Sequence, residues 1–164
     1  MSRAGVRVVE VTTWQEWKPL RLEALADTPI GFGELHADAV ALSDEEWASR
    51  WTRPGLRLIA YEGHEPLGMA GGFVHEDGRR ILFGVYVRPA ARGQGVLDAL
   101  VDRVQAWAAP EPLHLDVHVD NGPARSKYER TGWTYDGRVT PGGGIDGGDL
   151  LGMVRSLRAE RVNR

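Results

Sequence analysis

Apolar residues recur along the first half of the chain at two spacings, which predict strands and helices in turn. Short apolar runs predict strands at 7–11, 56–61 and 67–74. The last two are joined by the polar turn 62–65, as in an antiparallel hairpin. Residues 14–27 carry apolar side chains near helical spacing and predict a helix.

A second helix is predicted by its start signal. Ser43 is followed three residues later by Glu46, which is the spacing of a capping box. Trp47 and Trp51, four residues apart, then lie on one face of the helix that begins here. The stretch 28–41 shows neither period and stays unassigned.

The middle of the chain predicts a strand, a helix and a second strand. Residues 81–87 are apolar without alternation, which is typical of a strand covered on both faces. One helical stripe of apolar residues follows at 96–108, and residues 113–119 alternate strictly between apolar and polar. This order predicts a right-handed βαβ unit with parallel strands.

The last third predicts a helix and two strands. The helix covers 121–130 and ends at Thr131-Gly132, and the strands lie at 133–135 and 150–154. Between the strands, the glycine-rich segment 141–149 predicts a flexible hairpin loop. The pattern as a whole predicts a mixed α/β protein.

Length and composition limit the class of protein. A chain of 164 residues has the size of one domain, so we expect a single domain over 1–164 with a polar tail at 157–164. Apolar residues make up 42% and charged residues 26%, which is the ordinary globular mix and disfavours disorder. With 0 Cys, disulfides, thiolate nucleophiles and sulfur-based zinc sites are excluded.

Net charge and hydropathy limit the kinds of binding partner that we expect. The net charge is −3 and no basic block occurs, so nucleic acid is not an expected partner. The apolar run 81–87 is far shorter than the roughly 20 residues that cross a bilayer. The first residues lack the apolar segment of a secretory signal. We therefore expect a cytoplasmic protein with no membrane partner.

The segment between the strand at 81–87 and the helix at 96–108 has the features of an anion-binding turn. Gly93 and Gly95 let successive backbone N–H groups point inward, and the helix start adds the positive end of its dipole. No P-loop sequence occurs here, and a dinucleotide fingerprint would need Gly where Asp98 stands. The sequence therefore predicts a site for another phosphate ligand.

Two motifs in this half of the chain resemble the GCN5-related N-acetyltransferase (GNAT) superfamily. Its cofactor loop reads [QR]-x-x-G-x-[GA], and RGQGVL at 92–97 matches the first and fourth positions, with Leu97 at the sixth. NGPARSKYERTGW at 121–133 resembles the family segment N-x-x-A-x-x-x-Y-E-x-x-G-[FW]. The resemblance implies a single-domain GNAT fold, with a mixed central sheet of about six to seven strands flanked by about four helices.

The resemblance also implies an activity. Members of the family move acetyl from acetyl-CoA directly to an amine through a tetrahedral intermediate, without a covalent enzyme intermediate. We expect a primary amine of a small molecule as the acceptor. The alternatives are an acetyltransferase for protein N-termini or lysines and a non-catalytic domain that senses acyl-CoA. By analogy with relatives, a homodimer is one possible assembly.

In the family, the strand before the glycine turn splays from its neighbour, and its free backbone groups bind pantetheine and polarise the thioester carbonyl. The glycine turn holds the phosphates. The residues that this resemblance implies for cofactor binding are Val85, Tyr86, Val87, Arg92, Gly93, Gln94, Gly95, Val96, Leu97 and Asn121. Arg88, Arg92 and Arg125 are candidate charge partners for the phosphates.

Tyr128 and Asp116 are the candidates for handling protons. In similar proteins the Tyr donates to the departing thiolate, while the alternative for Tyr128 is a packed aromatic ring. Asn121, two helical turns before it, is a helix cap or a site residue. Asp116 stands where some relatives have an acidic base, in a row with His114 and His118, and the alternative is a solvated strand face. His118 is a second candidate base, and a metal site in this row lacks a further ligand.

The stretch 28–41 is expected to line the acceptor pocket, because the region between the first two helices often does so in this family. Glu34 and His36 lie there, with further acids at 38 and 44–46. One interpretation is an acidic pocket that favours a cation. The other is a solvated helix face.

Overall fold

A seven-stranded mixed sheet forms the centre of the computed structural model, which describes residues 5–157. The strands are β1 Val6–Glu10, β2 Leu56–Glu62, β3 Glu65–Val74, β4 Arg80–Val87, β5 Leu113–His118, β6 Thr134–Thr140 and β7 Leu150–Arg155. Their order across the sheet is β1-β2-β3-β4-β5-β7-β6. The helices are α1 Trp14–Asp27, α2 His36–Val40, α3 Asp44–Trp51, α4 Val96–Ala108 and α5 Gly122–Arg130.

The α/β architecture and the strand count confirm the expected fold. The described residues contain five α-helices instead of about four, because the unassigned stretch 28–41 holds the short α2. Five residues are little more than one helical turn, so α2 is too short to show a period. The capping box is present, since Ser43 Oγ accepts from the Glu46 N–H and the Glu46 carboxylate accepts from the Ser43 N–H.

Both faces of the sheet are covered. Successive residues Leu58 and Ile59 of β2 are buried in different apolar clusters, because neighbouring side chains of a strand point to opposite faces. The cluster of Leu58 includes Leu100 and Val104 of α4. The cluster of Ile59 includes Leu20 of α1. The sheet is therefore sandwiched between α4 on one face and the N-terminal helices on the other.

The predicted βαβ unit is present, and its two strands part early. β4 and β5 are parallel, but their register contains only Arg80 with Leu113 and Ile81 with His114. The pairing of β3 with β4 also shifts between Met69 and Gly71, which marks a bulge in β4. The second half of β4 is thus paired with β3 alone and faces a gap on its other side.

Two expectations concern the ends of the chain and the membrane. The polar tail expected at 157–164 lies outside the described residues from position 158 onward. Within residues 5–157, every helix is too short or too polar to cross a bilayer.

Candidate active site

A cleft of about 1010 Å³ opens where β4 and β5 diverge. Both strand ends line it, together with the turn before α4 and one side of α5. Residues 30–33 and 143–144 also line it and come from the two loops that flank the site. Because β4 lacks a strand partner along the gap, its backbone groups at Val85, Tyr86 and Val87 border the cleft.

The turn before α4 forms a cradle of backbone donors. Gly93 and Gly95 have φ of +73° and +80°, which L side chains rarely adopt. α4 begins directly afterwards, so the N–H groups of Val96 and Leu97 have no acceptor within the helix. Among the described residues, no backbone carbonyl accepts from these two groups. This arrangement suits a phosphate group.

Of the three other residues expected in this turn, two also border the cleft. Arg92 and Leu97 line it. Leu97 is also partly buried against the α4 core, where the family has a smaller residue. Gln94 lies within the turn itself, and its side-chain amide donates to the Ala90 carbonyl at 2.9 Å.

The three arginines expected to pair with phosphates already have protein partners. Arg92 donates to the Val87 carbonyl at 2.9 Å and to the Asp27 carboxylate at 2.7 Å. The other two are engaged in the same way: Arg88 with the Glu23 carboxylate at 2.9 Å and Arg125 with the Val119 carbonyl at 2.7 Å. These side chains therefore tie elements of the fold together.

Two cations that sequence reasoning missed line the cleft from α5. Lys127 is paired with Asp98 at 3.3 Å, and Arg130 is exposed and has no partner within residues 5–157. Both lie within the 121–133 motif and are three residues apart, a spacing that places them on one face of a helix. This spacing could have identified them from the sequence. They are better placed than Arg88 to neutralise phosphates in this cleft.

The ring of Tyr128 packs against another aromatic ring, and the residue also borders the cleft. Its ring meets Trp133 edge-on, with the centroids 5.6 Å apart, and the residue lines the cleft. Burial raises the pKa of the Tyr128 phenol to about 12, so the group keeps its proton at neutral pH. Among the described residues, no hydrogen bond to this hydroxyl is present. The phenol is free to donate one.

Asn121 caps α5 and also borders the cleft. Its Oδ1 accepts from the Ala124 N–H at 3.4 Å and so caps α5. The residue also lines the cleft, with its Nδ2 beside Gly31 of the segment before α2. The cap therefore fixes the start of α5 against the loop that closes one side of the cleft.

Asp116 lines the cleft, and its side chain is 41% exposed. Arg138 of β6 lies 3.4 Å from its Oδ1. In the same polar row, His114 faces Asp136 at 3.5 Å, so the row does not converge on one point. The position suits a carboxylate that meets a substrate in the cleft.

His118 has no free ring nitrogen. The side chain is 1% exposed, its Nδ1 accepts from the Asp120 N–H at 3.0 Å, and its Nε2 lies 2.6 Å from Asp146 Oδ1. The acceptor role of Nδ1 assigns the ring proton to Nε2. Asp120 and Asp146 could join His118 around a metal ion. In this state the imidazole offers a lone pair neither to a metal nor to a substrate.

The acids between the first helices do not make the cleft acidic. Glu34 is paired with Arg21 at 3.2 Å and with Arg50 at 2.6 Å, and it does not line the cleft. His36 and the acids at 38 and 44–46 are exposed and lie away from the cleft, as on a solvated helix face. Among residues 14–51, Arg21 is the charged side chain that lines the cleft.

Comparison with known proteins agrees with this geometry. Residues 14–133 match the model of the acetyltransferase (GNAT) family. No curated protein sequence matches the chain. Among solved structures, a Salmonella typhimurium protein described with its cofactor acetyl-CoA is similar, with a TM-score of 0.72, 16% identity and coverage of 98% of both chains.

Two further structures have the same fold. A GNAT-family protein from Desulfovibrio desulfuricans has a TM-score of 0.70 and 19% identity, over 92% of this chain and 98% of its own. The ribosomal-protein-S18-alanine N-acetyltransferase of Escherichia coli has a TM-score of 0.65 and 19% identity, over 97% and 99%. The family model covers most of the chain and includes both motifs around the cleft, and the chain therefore belongs to the GNAT acetyltransferase family.

Proposed function

We propose that this protein is an N-acetyltransferase that moves acetyl from acetyl-CoA to a primary amine of a small molecule, by direct attack through a tetrahedral intermediate. The observation that carries the proposal is the cleft between the parted strands β4 and β5, with an anion cradle at one end. Acetyl-CoA combines phosphates with a long polar arm and suits a cleft of this shape.

The residues present fit this ligand. The N–H groups of Val96 and Leu97 would hold the pyrophosphate, and Lys127 and Arg130 would neutralise charge beside it. The edge of β4 at 85–87 faces the gap, and Arg92 already occupies the Val87 carbonyl there. The remaining backbone groups of this edge would bond the pantetheine amides, as a strand bonds its neighbour. Acetyl-CoA supplies the activated thioester, and every other role falls to this chain.

Tyr128 would stabilise the departing thiolate. A phenol with a pKa of about 12 is a weaker acid than a thiol, whose reference pKa is about 8.5. It therefore donates a hydrogen bond to the thiolate rather than transferring its proton early. This free hydroxyl favours an enzyme over a domain that only senses acyl-CoA.

Asp116 would take the proton that the amine loses. An alkylammonium cannot attack a carbonyl until it is deprotonated, and Asp116 is the exposed carboxylate on the wall of the cleft at β5. The nitrogen–carbon bond forms first and gives the tetrahedral intermediate, and the carbon–sulfur bond then breaks, so that CoA leaves as a thiolate that takes a proton from solvent. The proton leaves by way of this carboxylate to solvent.

Thiol release tests the proposal. The protein is mixed with acetyl-CoA and a panel of small amines, a lysine peptide and peptides with free N-termini. Release that depends on a small amine supports the proposal, and release only with peptides supports the protein-acetylating alternative. Calorimetric binding of acetyl-CoA without release would identify a sensor, and no binding at millimolar concentration would overturn the assignment.

A further inference from the structure

The part of the cleft beside residues 30–33 contains a guanidinium group. Arg21 of α1 lines the cleft, and its side chain is only 17% exposed. Its guanidinium lies over the ring of Phe32, 4.8 Å from the centroid, and Phe32 lines the cleft as well. Packing on α1 and against this ring therefore fixes the direction of the Arg21 head group.

The charge of Arg21 is only partly compensated. Glu34 accepts from Arg21 Nη2 at 3.2 Å, and its other oxygen is paired with Arg50 at 2.6 Å. One carboxylate thus serves two guanidinium groups, which leaves a net positive charge. A guanidinium has five N–H donors, and within residues 5–157 Glu34 is the one acceptor for the Arg21 side chain. The remaining donors are available to a ligand in the cleft.

The cleft that Arg21 lines also has apolar and aromatic walls. Phe73 and Phe83 line the same cleft, with their rings edge-on and the centroids 5.6 Å apart. Gly33 and Ile30 complete this side without adding a charge. A ligand here would meet one cation set in an apolar surface.

We propose that Arg21 binds a carboxylate on the acceptor, so that the small molecule is an amino carboxylate with an apolar substituent. This proposal rests on the function proposed above and specifies its substrate class. A carboxylate matches the guanidinium in shape and can accept two of its N–H groups. The acceptor amine would then be presented toward Asp116, whose carboxylate lies on another wall of the cleft.

Paired acceptors test this. Alanine, leucine and phenylalanine are each compared with their amides, and kcat/KM for thiol release is measured in the wild type and in Arg21→Gln. We expect the wild type to prefer the free acids over the amides, and Arg21→Gln to reduce that preference about ten- to hundredfold, the effect of one charge-assisted hydrogen bond. Comparing ratios between variants cancels the different basicities of the amines.

Arg50→Gln is the matched control. Arg50 shares Glu34 with Arg21 but does not line the cleft. If Arg21 acted only by supporting Glu34, both variants would lower kcat/KM alike for acids and amides, and the proposal would fail. Glu34→Gln should have the opposite effect and increase the preference for free acids over amides. Without the negative charge of Glu34, Arg21 is uncompensated and should bind carboxylates more tightly.

Binding without turnover separates the two proposals. Leucine is titrated calorimetrically into the protein saturated with CoA, in the wild type and in Arg21→Gln. Heat in the wild type that is lost in the variant supports the subsite. If amides are acetylated as well as acids and Arg21→Gln changes nothing, the subsite is wrong while the N-acetyltransferase stands. If acetyl-CoA is not bound and no amine is acetylated, both proposals fall.

Discussion

The imidazole of His118 holds the side chain of Asp146, with Nε2 and Oδ1 2.6 Å apart. His118 lies on β5, and Asp146 belongs to the glycine-rich loop 141–149. A Cβ added at Gly144 or Gly148 would approach this ring to 2.6 and 2.5 Å. The sequence predicts a flexible loop here, but these glycines also let the loop lie directly against the ring, where it forms one side of the cleft.

Acid should release this loop. A hydrogen bond from His118 and one from the Gly148 N–H hold the pKa of Asp146 below its ordinary value of 3.8. A lowered pKa means that the contact stabilises the fold above the ordinary value and is lost as the pH falls through the lower folded value. The amide NMR signals of residues 141–149 should therefore show a transition below pH 3.8, as the Asp146 carboxylate takes up its proton.

The variant Asp146→Asn should abolish that transition. Asp77→Asn is the control, because the pKa of Asp77, at a turn that does not line the cleft, is also lowered, to about 2. A loop transition that persisted in Asp146→Asn would show that another group holds the loop.

Tyr128→Phe should lower kcat about ten- to hundredfold, because it removes one hydrogen bond to a charged leaving group. The affinity for acetyl-CoA should change little. With the phenol pKa at about 12, the wild type should show no loss of activity from this group below about pH 10. Steady-state kinetics across pH check both points.

Tyr135→Phe is the control for that variant, since Tyr135 is an exposed tyrosine of β6 that does not line the cleft. Full activity of Tyr128→Phe on an acetylated substrate would contradict the role of the hydroxyl and leave Tyr128 as a packed ring.

Asp116→Asn should lower kcat/KM by about a hundredfold near pH 7, the lower range for loss of a general base. The deficit should shrink as the pH approaches the amine pKa of about 10, because hydroxide and solvent then deprotonate the acceptor. Asp102→Asn, a change of an exposed acid of α4, should leave the profile as in the wild type. An unchanged profile in Asp116→Asn would exclude this carboxylate as the base.

Gly93→Ala should weaken acetyl-CoA binding about tenfold and lower the unfolding free energy by about 1–2 kcal/mol, the cost of a left-handed conformation for an L residue. Gly63 has a φ of +59° in the turn between β2 and β3, so Gly63→Ala should introduce a similar backbone strain at a position away from the cleft. Calorimetry and thermal unfolding should show a similar loss of stability in both variants and a loss of binding in Gly93→Ala alone.

Arg130→Gln should weaken acetyl-CoA binding several-fold and reduce its dependence on salt, because one phosphate partner is removed. Arg103→Gln changes an exposed arginine of α4 that does not line the cleft and should bind as the wild type does. Equal binding in both variants at low salt would contradict a phosphate role for Arg130.

Most of the fold follows from local patterns. The bounds of α1 and α4 agree with the apolar periodicity, because residues on one face of a helix must meet the core at fixed intervals. The short α2 was missed, since a single turn has no period to detect. The left-handed turn at Gly93 and Gly95 is likewise local, because only glycine adopts it at low cost.

The partners of charged side chains could not be predicted in this way. Arg138 meets Asp116 because β5 and β6 both pair with β7. The register of these pairings cannot be predicted from any short stretch of the sequence. The same holds for Arg88, which is engaged by Glu23 from 65 residues away.

The sequence by itself therefore determined the order of the strands and of every described helix except α2, together with the glycine turn and the motif that contains Tyr128. The family resemblance implied that β4 splays from its neighbour, and the tertiary structure alone decided that the parting follows Ile81. It alone also decided that His118 is engaged at both nitrogens and that Arg21 lines the cleft. Hydrophobic period and backbone conformation act between near neighbours in the chain. Ion pairs and cleft walls form between residues that only the folded chain brings together.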